Sequence, residues 1–236
     1  ATQKGWLSAK ETLGGAFVAL AVAAAAGGSL ERFCEGRRAV TLMRLVVSTS
    51  TFNAVAYTGG FPLTLVGLGD VSLGYWGVAD VFVLLYFGYV ATVAPYSLQT
   101  QKTPALGEAP LLWVAATSMG FLATGVIVVN NLRDRQTDVK VGKRTLAVRF
   151  GPAFARRQYL ALVVGAYLLP LAAVGLGYAP ASWLLVYVSA FLAKAQVRAV
   201  LTKDGPDLNP HVGGTAKLQL AFGTLLSLGI ALARYS

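Results

Sequence analysis

The sequence is poor in the groups on which many soluble proteins rely. One cysteine, Cys34, and one histidine, His211, occur in 236 residues. A lone cysteine excludes an intrachain disulfide. A lone histidine excludes a site built from several Cys and His ligands at fixed spacing. Charge is scarce too, at 13% of positions, roughly half the share of an ordinary soluble domain. Only ten of those residues are acidic: Glu11, Glu31, Glu35, Asp70, Asp80, Glu108, Asp134, Asp138, Asp204 and Asp207. No charged, apolar and small-residue succession at the start marks a signal peptide.

What fills the chain is apolar. The hydrophobic set makes up 56% of it, and the mean hydropathy is +0.61. Seven spans of about 20 residues would need about 140 positions, which matches this supply. A water-soluble globule, a disordered chain and a secreted disulfide scaffold are all excluded. The fold class expected is an all-α integral membrane protein, one transmembrane domain over 1–236. The net charge of +10 would suggest nucleic acid in a soluble protein. Here the cations sit between apolar stretches and obey the positive-inside bias, so lipid and not nucleic acid is the expected surroundings.

Four runs are nearly free of charge: Thr12 to Leu30, Pro110 to Val129, Gln158 to Gly177, and Leu218 to Ala233. Three more carry polar residues that a span tolerates through backbone-bonded hydroxyls or snorkelling: Ala39 to Thr58, Gly77 to Leu98, and Pro180 to Leu201. Seven spans put alternate connections on opposite sides. Fourteen Lys and Arg then share the side of the 130–157 loop, against six opposite. That loop is expected on the cytoplasmic or stromal side. The Ala23 to Gly28 run suits close helix packing in lipid, and Gly59-Gly60 and Asp204-Gly205-Pro206 suit turns.

The chemistry concentrates in Asn130–Gly151, NNLRDRQTDVKVGKRTLAVRFG. Asn130, Asp134 and Asp138 recur every four residues, on one helical face with a drift of about 40° per step. Two carboxylates one turn apart repel by a few tenths of a kcal/mol. A hard cation offsets this, because Mg²⁺ takes one or two carboxylates and leaves its other positions to water and phosphate. Lys140, Lys143 and Arg144 follow, donors suited to diphosphate oxygens. The spacing alone is equally compatible with a basic loop carrying two solvated aspartates.

The wider string resembles the second aspartate-rich motif of the UbiA superfamily of intramembrane prenyltransferases. Within it, the likeness is to the MenA-type 1,4-dihydroxy-2-naphthoate polyprenyl- and phytyltransferases. Ala1–Ser8, Tyr57-Thr58-Gly59-Gly60, Gly77–Val83, Leu208-Asn209-Pro210 and Thr215–Leu220 resemble further pieces of that family in the same order. The resemblance implies a UbiA-like bundle and Mg²⁺-dependent transfer from a prenyl or phytyl diphosphate to dihydroxynaphthoate, on the route to menaquinone or phylloquinone. It assigns Asp134 and Asp138 to catalysis as the metal ligands, and Asn130, Lys143 and Arg144 to the diphosphate. Tyr57 and Tyr96 are aromatic candidates beside a developing cation, or simply interfacial tyrosines. The membrane implied is the bacterial plasma membrane or a chloroplast or thylakoid membrane.

Two departures matter. The family's first aspartate-rich motif, an NDxxDxxxGxD-like string, does not occur in these residues, and Ala1 aligns after the first two of the family's nine helices. The connection from Gly60 to Gly77 is about ten residues longer than the family's short one. Two expectations follow: an enzyme with further helices before Ala1, or an inactive relative serving as a structural subunit, with other membrane subunits or pigments filling the missing-helix groove, for instance in a photosynthetic complex. Elsewhere, Asp80 opens a span, where an acid is either functional or, as favoured here, complements the helix dipole; His211 is expected to be a solvated loop residue, Cys34 to have no role, and Lys194 and Arg198 to snorkel. Charges gathered in one segment, without threading the bundle, disfavour a transporter.

Overall fold

The structure, a computed structural model, describes residues 8–59, 73–105 and 107–233. The start of the opening motif, the long connection 60–72 with Asp70, and Arg234 lie outside the described residues. Among the described residues every regular element is helical. Seven helices are long and apolar enough to cross a membrane: α1 (Lys10–Phe33), α2 (Gly36–Ala56), α3 (Ala79–Thr100), α4 (Pro110–Lys140), α5 (Leu146–Gly175), α6 (Ala181–Thr202) and α7 (Gly205–Leu232). Each overlaps one of the seven runs read from the sequence.

The ends differ from the sequence reading. No long loop occupies 130–157: α4 continues to Lys140, α5 begins at Leu146, and five residues join them. The 198–217 segment likewise is helical on both sides of a two-residue break at 203–204. Hydropathy detects where the chain leaves hydrocarbon, whereas a helix closes its own N–H···O=C bonds in water as well as in lipid. Leu132, Arg133, Arg135, Gln136 and Lys140 are good helix formers. The entry to α5 is kinked where Gly151, at φ 81° and ψ 175°, precedes Pro152.

Packing divides the chain into two compact units. One comprises the residues up to Ser72 together with Ala94–Thr103. Its α1 starts at a capping box: Ser8 Oγ accepts from the Glu11 N–H at 3.2 Å, and Glu11 accepts from the Ser8 N–H at 2.7 Å. Leu13, Phe17, Val18 and Val22 stay exposed along α1, as lipid-facing residues do. The Gln101 amide ties the 33–35 turn to its own helix end, donating to the Phe33 and Leu98 carbonyls and accepting from the Glu35 N–H. Cys34 is half-buried, its Sγ 3.6 Å from the Leu30 carbonyl.

The second unit comprises Leu73–Val93 and Pro104 onward, and so contains the start of α3 and all of α4 to α7. Gly88 on α3 meets Gly120 on α4 so closely that a Cβ on Gly88 would lie 2.7 Å from the Gly120 Cα, the close approach that small residues permit in lipid. Leu122, Val128, Val129 and Leu132 of α4 pack with Tyr159 of α5 and Phe222 of α7 in one core. Its buried polar groups are paired: the Tyr159 hydroxyl with Thr215 at 3.0 Å, the Tyr167 hydroxyl with Ser189 at 2.6 Å. His211 is not a solvated loop residue. It lies in the first turn of helix Asn209–Leu232, half-buried, with Nδ1 2.9 Å from Gln196 Oε1 and Nε2 2.9 Å from Lys203 Nζ. Lys194 and Arg198 are exposed on α6.

Candidate active site

The continuation of α4 to Lys140 carries Asn130, Asp134 and Asp138 on helical backbone in place of a loop. Arg133 joins the first two. Its guanidinium grips Asp134 with both arms, Nε to Oδ1 at 2.7 Å and Nη2 to Oδ2 at 2.6 Å, while Nη2 also donates to Asn130 Oδ1 at 2.8 Å. Such a planar fork holds a carboxylate in one orientation.

The end of α4 places Lys143. The Lys143 N–H returns to the Asp138 carbonyl at 3.0 Å and the Gly142 N–H to Val139 at 3.2 Å, the paired bonds of a Schellman ending. That ending requires a left-handed residue, and Gly142 supplies it at φ 74°. The reversal folds Lys143 back on Asp138, Nζ to Oδ1 at 3.3 Å. Asp138 is the deeper of the two carboxylates: its side chain keeps 8% of its exposure, against 35% for Asp134.

A second segment fastens onto this turn. The Tyr75 carbonyl accepts from the Arg144 N–H at 3.0 Å, and the Trp76 carbonyl from Arg149 Nη2 at 2.7 Å, with Arg149 Nε on the Arg144 carbonyl at 2.9 Å. Gly77, at φ 76°, lies so near that a Cβ there would overlap the Arg144 carbonyl oxygen. The Tyr75 ring lies under Lys143 Nζ, 5.7 Å from its centroid, within cation–π range. Thr145 then starts α5, its Oγ1 accepting from the Val148 N–H.

Asp80 does not act as a helix cap. The cap position of its helix is Val78, with no side-chain cap bond. The Asp80 carboxylate turns inward instead, 6% exposed, and accepts from Gln158 Nε2 of α5 at 2.7 Å and Asn131 Nδ2 of α4 at 3.4 Å. A buried carboxylate is tolerated only with such donors.

The structure thus gathers Asn130, Asp134, Asp138 and Lys143 into linked pairs. It leaves the Arg144 guanidinium exposed and without a partner among the described residues; only the Arg144 backbone is engaged. The Tyr57 side chain lies outside the described residues, and Tyr96 belongs to the other unit. Arg133, Tyr75, Arg149, Asn131 and Gln158 escaped the sequence reading, although Arg133, Asn131 and Arg149 lie inside the Asn130–Gly151 string already singled out. Among the described residues no three Asp, Glu, His or Cys side chains gather as a metal cage. Two carboxylates and an amide oxygen are hard donors of the kind Mg²⁺ shares with phosphate and water. Arg135 Nε, one residue past Asp134, is buried and has no hydrogen-bond partner among the described residues.

The profile of the UbiA prenyltransferase family matches residues 2–211. The chain belongs to the UbiA prenyltransferase family. Over 172 residues it is 34% identical to 1,4-dihydroxy-2-naphthoate octaprenyltransferase of Escherichia coli, covering 72% of this chain and 54% of that one. A protein of the same name from Mycobacterium leprae is 32% identical over 219 residues, 87% of this chain and 71% of its own. UbiA prenyltransferase domain-containing protein 1 of Gallus gallus is 30% identical over 181 residues, 76% and 51% respectively. The chain therefore spans little more than half the length of the first of these relatives. No solved structure matches it. Membership in this family and the seven long apolar helices make it an integral membrane protein.

Proposed function

We propose that this chain carries the second half of the diphosphate site of a Mg²⁺-dependent prenyltransferase, which transfers a polyprenyl or phytyl group to 1,4-dihydroxy-2-naphthoate in menaquinone or phylloquinone synthesis. The observation that carries the reading is the linked constellation at the end of α4: Asn130, Asp134 and Asp138 on one helical side, with Arg133 and Lys143 drawn to the two carboxylates. The relatives from E. coli and M. leprae bear the name of that reaction.

Asp134 and Asp138 would hold the metal, with Asn130 beside them. Mg²⁺ neutralises the diphosphate and so makes it a better leaving group. Lys143 and Arg144 would meet the outer phosphate oxygens; the Arg144 guanidinium is exposed, with no partner among the described residues. The prenyl C–O bond breaks and pyrophosphate departs; an electron-rich ring carbon takes the allylic group, and the acceptor releases its carboxylate as CO2 to restore the aromatic ring, while water is kept out by the apolar bundle. The α4–α5 turn lies on the cytoplasmic or stromal face in this reading, in keeping with fourteen of the twenty Lys and Arg on that side.

The test is prenyl transfer by the natural full-length protein in lipid nanodiscs, with labelled prenyl diphosphate and the naphthoate acceptor. Transfer should require Mg²⁺, and Asp134→Asn and Asp138→Asn should each lower it on the order of a hundredfold. Undiminished transfer by both variants, or transfer without a divalent cation, refutes the proposal. No transfer, with the protein held in a stoichiometric membrane complex, favours the structural-subunit reading.

A further inference from the structure

Among the described residues of the second unit, Asp80 is the one buried carboxylate that the proposed chemistry leaves unused. Its surroundings are informative. It is 6% exposed and Asn131 is 7% exposed. The two donors to Asp80 are both neutral amides, from different helices. Asp80 stands in the first turn of α3, Asn131 in the last third of α4, and Gln158 on α5 beyond the Gly151 kink. One carboxylate therefore joins three helices.

Its position along α4 matters. Asn131 and Asp138 are seven residues apart, two turns, and fall on nearly the same face. Both are buried. Asn130, adjacent to Asn131, accepts from the Arg133 fork that orients Asp134. A hold on Asn131 consequently fixes the rotation of α4 about its axis, and with it which way Asp134 and Asp138 point. We infer that Asp80 is a positioning residue: through Asn131 and Gln158 it sets the rotation of α4 that presents the two carboxylates to the metal-bound diphosphate. In its functional part the inference rests on the reading given under Proposed function.

Both partners of Asp80 are amides, which donate as seen and accept once flipped. An asparagine at 80 can accept from Gln158 through its oxygen and donate to a flipped Asn131 through its nitrogen. The bonds survive and the charge does not. Leucine at 80 keeps the volume and loses both bonds. Positioning is thus separable from any direct use of the charge.

Two readouts test this in the full protein. The first is the Mg²⁺ concentration that half-saturates binding of a non-hydrolysable prenyl diphosphate analogue. Asp80→Leu should raise it about tenfold or more, the usual effect of losing a residue that orients a metal ligand; Asp80→Asn should leave it at the wild-type value. Gln158→Leu, which removes the shorter bond and keeps Asp80, should raise it by less. The second readout needs no activity. In a Cys34→Ser background, Thr137→Cys is exposed and should react with a water-soluble maleimide, whereas Asp138→Cys should be protected. Adding Asp80→Leu should expose position 138, and Asp80→Asn should not. The inference is overturned if Asp80→Asn behaves like Asp80→Leu, since the charge then acts directly. It is also overturned if folded Asp80→Leu and Gln158→Leu leave both readouts unchanged. Should wild-type protein fail to bind the analogue with Mg²⁺, the proposed function fails, and the labelling pattern alone decides the rotational role of Asp80.

Discussion

Replacing Gly77 by alanine probes how the segment before α3 is fastened to the α4–α5 turn. Two costs arise at once. Gly77 sits at φ 76°, where a side chain costs about 1 kcal/mol or more. The new Cβ would also collide with the Arg144 carbonyl oxygen, which is backbone and cannot swing aside. The segments must therefore part, and the bonds from Arg144 N–H to Tyr75 and from Arg149 to Trp76 weaken or break. A neutral bond contributes about 1 kcal/mol and one to a charged group about 1.5–3 kcal/mol. Together the loss is about 3–5 kcal/mol, at roughly 2–4 °C per kcal/mol for a chain of this length. Thermal unfolding of purified Gly77→Ala in detergent should thus show a midpoint lowered by roughly 6–20 °C. Because the Tyr75 ring underlies Lys143, Mg²⁺-dependent binding of a prenyl diphosphate should weaken as well. A variant with the wild-type midpoint and wild-type binding would refute the claim that these segments are locked together.

Two further substitutions test separate parts of the argument. Gly142→Ala meets no neighbour, so only its left-handed backbone is penalised; it should lose about 1 kcal/mol in a denaturation curve and loosen Lys143 from Asp138, visible as weaker diphosphate binding. Gly88→Ala, crowding the Gly120 backbone, should destabilise the α3–α4 contact by about 1–3 kcal/mol in the same assay, and a neutral result would show that this approach is slack.

The site was partly legible in the sequence. The four-residue recurrence of Asn130, Asp134 and Asp138 presupposes a helix, and the helix is there. Lys143 was legible as a donor, and its place on Asp138 follows from the glycine before it. For Asp80 the sequence position gives only a first-turn acid; that its carboxylate faces the interior depends on the amides that two later helices bring to it. Arg133 was passed over because an arginine beside an aspartate in sequence does not normally face it along a helix, and here the long side chain curls back to do so. His211 was misread for the same kind of reason: Gln196, fifteen residues away, meets it only once α6 and α7 pack.

By itself the sequence determined what depends on solvent preference and local backbone. The seven apolar runs settle that the chain lies in a membrane, because hydrocarbon admits little else. The four-residue spacing of Asn130, Asp134 and Asp138 settles that they share one helical face. The tertiary structure alone decided which distant groups share a carboxylate and that Gly77 must pass beside the Arg144 carbonyl. Those outcomes depend on distances between segments far apart in the chain, which packing fixes and local composition does not encode.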